Sequence, residues 1–146
     1  YVTVKTVGGQ KIALLSRYIE ASRATDQPPL ASFEKALTEL RPSLDHVYFI
    51  PTNYRVYHQF LEVPSATGLP EAKWNYLSAL CRREGIACTN LTDSLRREAV
   101  RQMKMGEWLW WPDDTHWNGK GVTVAAMVVA DTLKRRTVDS SSITRK

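Results

Sequence analysis

A chain of 146 residues, 43% hydrophobic and 24% charged, is one globular domain's worth. Its composition excludes a disordered tail, a collagen-like rod and a coiled coil, and no window approaches about 18 uncharged apolar residues, so no membrane span is expected. The net charge of +5 is spread over short runs at Arg82-Arg83, Arg96-Arg97 and Lys134-Arg135-Arg136, which read as solvated helix faces rather than a nucleic-acid patch.

The chain opens on Tyr1 with no charged stretch leading into an apolar one. No signal peptide is legible, and the chain reads as a processed product or a piece of something longer. Residues Tyr1–Val7 alternate valine with Tyr, Thr and Lys, the pattern of a half-buried strand ended by Gly8-Gly9. Ile12, Leu15 and Ile19 then predict a helix over about Gln10–Ala24. Phe33, Ala36, Leu37 and Leu40 predict a second over Ser32–Arg41, stopped by Pro42. The run His46–Ile50 reads as a buried parallel strand.

Thr52-Asn53 can cap a short helix over Tyr54–Leu61. A helix follows from Pro70 to about Glu84, with Trp74, Leu77, Leu80 and Cys81 inward and Gly85 as its stop. Ile86–Thr89 predicts a short strand, and Asn90 or Thr92 caps a helix through about Met103. Glu107–Trp110 is read as a strand and Trp111–His116 as a loop. The last helix, about Gly119–Arg136, is apolar nearly all round from Val122 to Ala130 and is expected to be well buried. Residues 137–146 are expected to form a frayed tail. Strands alternating with helices predict one α/β domain over residues 1–146 with a mainly parallel sheet. Cys81 and Cys88 fit neither a zinc nor a Cys-x-x-Cys pattern; a bridge and two buried thiols both remain open.

The chemistry-bearing stretch is Trp110–Gly121, between a strand and a helix, where open α/β sheets place ligands. Asp113, Asp114 and His116 lie within it. A carboxylate against the Nδ1–H of an imidazole fixes the tautomer and leaves Nε2 free as a base. A local turn is the plainer reading of Asp-x-His, and Asn118, Gly119 and Gly121 can be helix-start chemistry that lets the chain turn sharply. Four of the five tryptophans fall in Trp108–Trp117, where Trp111 and Trp117 could stack on sugar rings or simply pack the loop. Tyr54, Arg55 and Tyr57, just past a strand end, could line an acyl or sugar pocket, although solvent-facing helix positions are the plainer reading. His46 and His58 read as structural, and no cluster has metal-ligand spacing, so neither metal nor cofactor is expected.

The string Asp113–Gly121, followed by Ala125-Ala126, resembles the last sequence block of the SGNH (GDSL-type) hydrolase superfamily, most closely its alginate O-acetyltransferase-like branch. Val47–Tyr57 and Gly85–Leu95 resemble the segments that precede that block, so the likeness spans roughly 30–133. The resemblance implies a three-layer, flavodoxin-like architecture and a Ser–His–Asp triad that cleaves or transfers an acyl group. It carries the base onto His116 and the orienting acid onto Asp114, two residues before it, with Asp113, three before, as the superfamily's commoner spacing.

The family's Gly-Asp-Ser block is absent; Thr92-Asp93-Ser94 opens the wrong helix, and Ser140-Ser141-Ser142 lies in the polar tail. The oxyanion-hole glycine and the Gly-x-Asn-Asp-type block are absent too. The chain therefore resembles an incomplete domain, the Asp/His half of an esterase or O-acetyltransferase. The nucleophile would come from a missing segment or a companion chain, and the implied substrate is an acetylated carbohydrate. The family's habit and the cysteine pair imply an extracytoplasmic setting. A non-catalytic α/β binding or scaffolding module is the competing expectation.

Overall fold

The computed structural model describes residues 1–7, 9–61 and 68–143, with side chains described as far as Arg135. Gly9, at φ 84°, turns the chain between two antiparallel strands, β1 (Val2–Val7) and β2 (Gln10–Leu15). Val7, Ile12 and Leu14 face inward from this hairpin, whereas Val2 and Val4 are exposed on its outer face. The expected helix over Gln10–Ala24 is thus corrected. Its first half is strand, because Ile12 and Leu14 bury with a period of two, and only Ser16–Arg23 is helical, as α1.

Helix α2 (Ala31–Leu40) ends in a 3₁₀ turn at Pro42 and leads into β3 (Val47–Phe49). Helix α3 (Asn53–Leu61) starts where the Thr52 hydroxyl accepts the Arg55 N–H at 3.2 Å, the cap that the Thr-Asn pair predicts. Helix α4 (Ala72–Glu84) closes on Gly85 at φ 67°, with Ile86 N–H returning to Cys81 O at 2.9 Å. A disulfide joins Cys81 to Cys88, settling the open alternatives and clipping the end of α4 to β4 (Cys88–Asn90). Asn90 accepts the Thr92 N–H at 2.9 Å as α5 (Thr92–Met103) begins.

β3 and β4 are parallel, with Val47 opposite Cys88 and Phe49 opposite Asn90. One face of this pair packs on Leu37, Leu80 and Ile86 from the α2 and α4 side. Tyr48 turns the other way, into the main core formed with the hairpin, α3 and α5. The result is a three-layer α/β fold around a parallel pair. The described strands divide evenly between that pair and the antiparallel hairpin, so parallel pairing does not dominate as expected.

Two further expectations are corrected. Glu107–Trp110 forms no strand; Trp108, Leu109 and Trp110 sit in the core, and only Trp110 makes a bridge, to Trp117. Helix α6 (Gly119–Ile143) is not well buried: it lies outside α5 with Ala125 inward and Val122, Met127 and Leu133 exposed. It also runs past the expected end at Arg136, making 137–143 helical; residues 144–146 of the expected tail lie outside the described residues.

Candidate active site

The site loop stands on a buried base. Trp110 and Trp117 close its neck as an antiparallel bridge, with ring centroids 6.0 Å apart. Beneath them, Tyr57 packs against Trp108 and Trp110 at 4.9 and 5.8 Å, and its hydroxyl oxygen accepts the Leu109 N–H at 3.0 Å. Burial pushes the Tyr57 hydroxyl up to about 12, so it stays neutral in that role.

Asn118 bolts this base to α6. Its side-chain oxygen accepts the Lys120 and Gly121 N–H groups at 3.0 and 3.1 Å, capping the helix. Its amide donates to Trp108 O at 2.7 Å. Gly121 has no positive φ, so it serves close packing rather than a sharp turn: a Cβ there would lie 2.3 Å from Leu109 O.

Above the neck the chain reverses within a few residues. Asp114 N–H donates to Trp111 O at 3.3 Å, and Trp111 N–H to His116 O at 3.2 Å. Pro112 O accepts the Ala13 N–H at 2.7 Å, tying the loop to β2. This reversal brings Asp114 Oδ1 within 2.8 Å of His116 Nδ1. The Thr115 N–H donates to the same oxygen at 2.5 Å. These bonds, from His116 first and Thr115 second, hold the Asp114 carboxyl below the ordinary aspartate range. The His116 side chain is 81% exposed and that of Asp114 48%, so the pair adds little stability and acts on orientation. With Nδ1 engaged, Nε2 has no partner among the described residues and can accept a proton.

His116 borders an open cleft of about 390 Å³. Its other walls are Tyr18 of α1, Ile50–Asn53 just beyond β3, and Trp110, Thr115 and Trp117. The cleft thus sits at the carboxyl end of a parallel strand, where α/β proteins bind ligands. Of the expected site residues, the structure brings His116, Asp114 and Trp117 together. Asp113 is exposed and makes no hydrogen bond among the described residues; Trp111 is 54% exposed and outside the cleft lining.

Tyr54 and Arg55 neither reach the cleft nor face solvent, so the pocket-lining expectation and its solvent-facing alternative are both corrected. Both are buried on α3. The Tyr54 hydroxyl accepts from Arg23, and Arg55 ties α3 to Ser22 O, Pro70 O and Glu71. Tyr18, Ile50 and Pro51–Asn53 were not anticipated as cleft residues. The position of 50–53 directly after a strand is a readable signal; Tyr18 offers none, because the helical spacing across 10–24 hides the passage from β2 into α1. No serine lines the cleft among the described residues, and none of their His, Cys, Asp or Glu side chains group to hold a metal ion.

Fold and site together define a three-layer α/β domain with a histidine, oriented by an aspartate, at the carboxyl end of a parallel strand. Among solved structures the chain is similar to the O-acetyltransferase domain of Pseudomonas putida AlgJ, with a TM-score of 0.56 and 19% identity. The match covers 94% of this chain and 49% of that one, so the chain spans about half the length of the solved domain. At that identity the likeness is one of fold. No family model matches the chain, and no curated protein does.

Proposed function

We propose that the chain supplies the acid–base half of an SGNH-type serine esterase or O-acyltransferase, acting on an acetyl ester of a carbohydrate outside the cytoplasm. The observation that carries this reading is the bond from His116 Nδ1 to Asp114 with Nε2 left free at the cleft. In the reaction, a serine Oγ supplied by another segment attacks the ester carbonyl and His116 Nε2 takes its proton. Asp114 stabilises the imidazolium, and the proton is then delivered to the leaving alcohol. The oxyanion donors come with the serine segment. Trp117 and Tyr18 are the cleft aromatics available to a sugar ring. The Cys81–Cys88 bridge supports an oxidising compartment.

The test is acetyl-ester hydrolysis by the complete, serine-containing protein and its His116→Ala variant. We expect a loss of about 10⁴-fold or more in kcat with an unchanged melting temperature. Activity that survives the substitution, or none in the parent, favours a non-catalytic module, a reading to which the exposure of His116 and the serine-free cleft also lend weight.

A further inference from the structure

Helix α2 carries more apolar surface than the fold covers. Of its stripe Phe33, Leu37 and Leu40, only Leu37 is buried, and Phe33 is 42% exposed. Leu30, just before the helix, is 47% exposed. Leu30 and Phe33 form one wall of a recess of about 230 Å³, completed by Phe49 of β3 and by Lys73, Tyr76 and Leu77 of α4. Its walls are held apart by hydrogen bonds rather than left apart by loose packing. The Tyr76 hydroxyl accepts the Leu30 N–H at 3.0 Å and donates to Glu34 at 2.7 Å, and Arg83 holds the other Glu34 oxygen at 2.9 Å. These bonds set the spacing of α2 from α4. A preformed apolar recess with few polar groups is the usual form of a small-molecule site.

One polar group of the recess is uncommitted. Gln27, at its rim, donates to Pro28 O at 3.0 Å, and the Tyr76 hydroxyl is bonded both ways. Lys73 is half-buried and has no hydrogen bond or ion pair among the described residues. Every carboxylate of the two helices already has a cation: Glu34 and Glu84 share Arg83, and Glu39 has Lys35. The charge that Lys73 calls for must therefore come from a ligand. Size narrows the ligand further. A cavity of about 150 Å³ holds benzene, and drug-sized ligands fill about 300 Å³ or more. At about 230 Å³ the recess suits a substituted ring or a medium-length alkyl chain.

We propose that this recess binds a small apolar carboxylate, a medium-chain fatty acid or an aryl carboxylate, with its hydrocarbon against Phe33, Phe49 and Leu77 and its carboxylate on Lys73 Nζ. The site does not depend on the function proposed above. It shares only a strand end with the cleft, Phe49 lining the one and Ile50 the other.

Methyl NMR of the 146-residue chain, titrated with octanoate, octanol and octylamine, tests it. We expect saturable shifts of the Leu77 methyls with octanoate, about tenfold weaker binding of octanol, and weaker binding still of octylamine. Lys73→Gln should bring octanoate down to the octanol value and leave octanol unchanged. Phe33→Ala, at an exposed position, should weaken both. Equal binding of octanoate and octanol by the wild type, or octanoate binding untouched by Lys73→Gln, overturns the proposal, because Lys73 then only lays its stem along the wall. The absence of any Leu77 shift overturns it too. Leu77 shifts that follow protein concentration without ligand assign the recess to a second copy. Loss of octanoate binding in the protein purified from its source with whatever segment or companion accompanies it assigns the recess to that companion. Either result overturns the proposal.

Discussion

The two ends of the site loop are built to opposite standards. Its base, from Trp108 to Trp110 and again at Asn118 and Gly121, is aromatic and largely buried, and is held by the Tyr57 hydroxyl on Leu109 N–H and by the Asn118 side chain on Trp108 O and the start of α6. Its crown, from Trp111 to His116, is mostly in water and keeps its shape through short local bonds and one tie to β2. The base fixes where the histidine stands to within a side-chain rotation, while the crown leaves its reactive nitrogen uncovered. A general base gains most from a water-excluded site, so under the proposed function the crown is the half of the site that a further surface would have to close.

Disturbing the base should cost the fold, and disturbing the crown should not. The largest effect is expected for Gly121→Ala, whose new methyl group meets Leu109 O and the Trp117 ring. We expect about 3 kcal/mol of destabilisation and a melting temperature lower by on the order of 10 °C, read by thermal denaturation. A drop under about 3 °C would show that α6 slides away without loss. Next is Asn118→Ala, which uncaps α6 and orphans Trp108 O, for about 2 kcal/mol by chemical denaturation. Asn118→Asp should recover the cap but not the second bond. If it behaved like wild type, the amide contact to Trp108 would carry no energy.

The smallest effect belongs to the crown. The Asp114 carboxyl is lowered in the folded chain, so its contribution to stability is present above the unfolded aspartate pKa and fades as pH falls through the folded value. Asp114→Asn should therefore flatten a shallow acid-side slope in melting temperature, lowering the neutral-pH value slightly and meeting the wild-type curve at low pH. An acid-side slope identical in both proteins would mean that the His116 bond does not form in solution.

Much of this was legible in the residues, and the failures have local causes. Gly85 past a helical run, Asn90 before another, and the apolar run at 47–50 each specify their element through contacts a few residues away. The reversal that joins Asp114 to His116 is equally local. Residues 10–15 satisfy a helical spacing through Ile12 and Leu15, but the alternation of Ile12 with Leu14 decides, because β1 lies across the Gly9 turn and captures their backbone. Arg55 was misplaced because its partners Ser22, Pro70 and Glu71 are remote in sequence, and no local pattern announces a buried guanidinium. The exposure of α6 was illegible for a similar reason: apolar composition states what a helix can bury, and only its neighbours decide what it does bury.

Ala13 has a consequence for how this protein can be compared with others. Its N–H holds Pro112 of the site loop and its C=O holds the Asn53 side chain, so one residue of β2 grips both walls of the cleft through its main chain. An alanine scan passes over it, and nearly every substitution leaves those two groups in place; proline alone removes the donor. Residues around it are therefore free to drift while the geometry they hold is retained. What holds the two walls at this point is strand pairing and main-chain groups, not the identity of the side chains that line the hairpin.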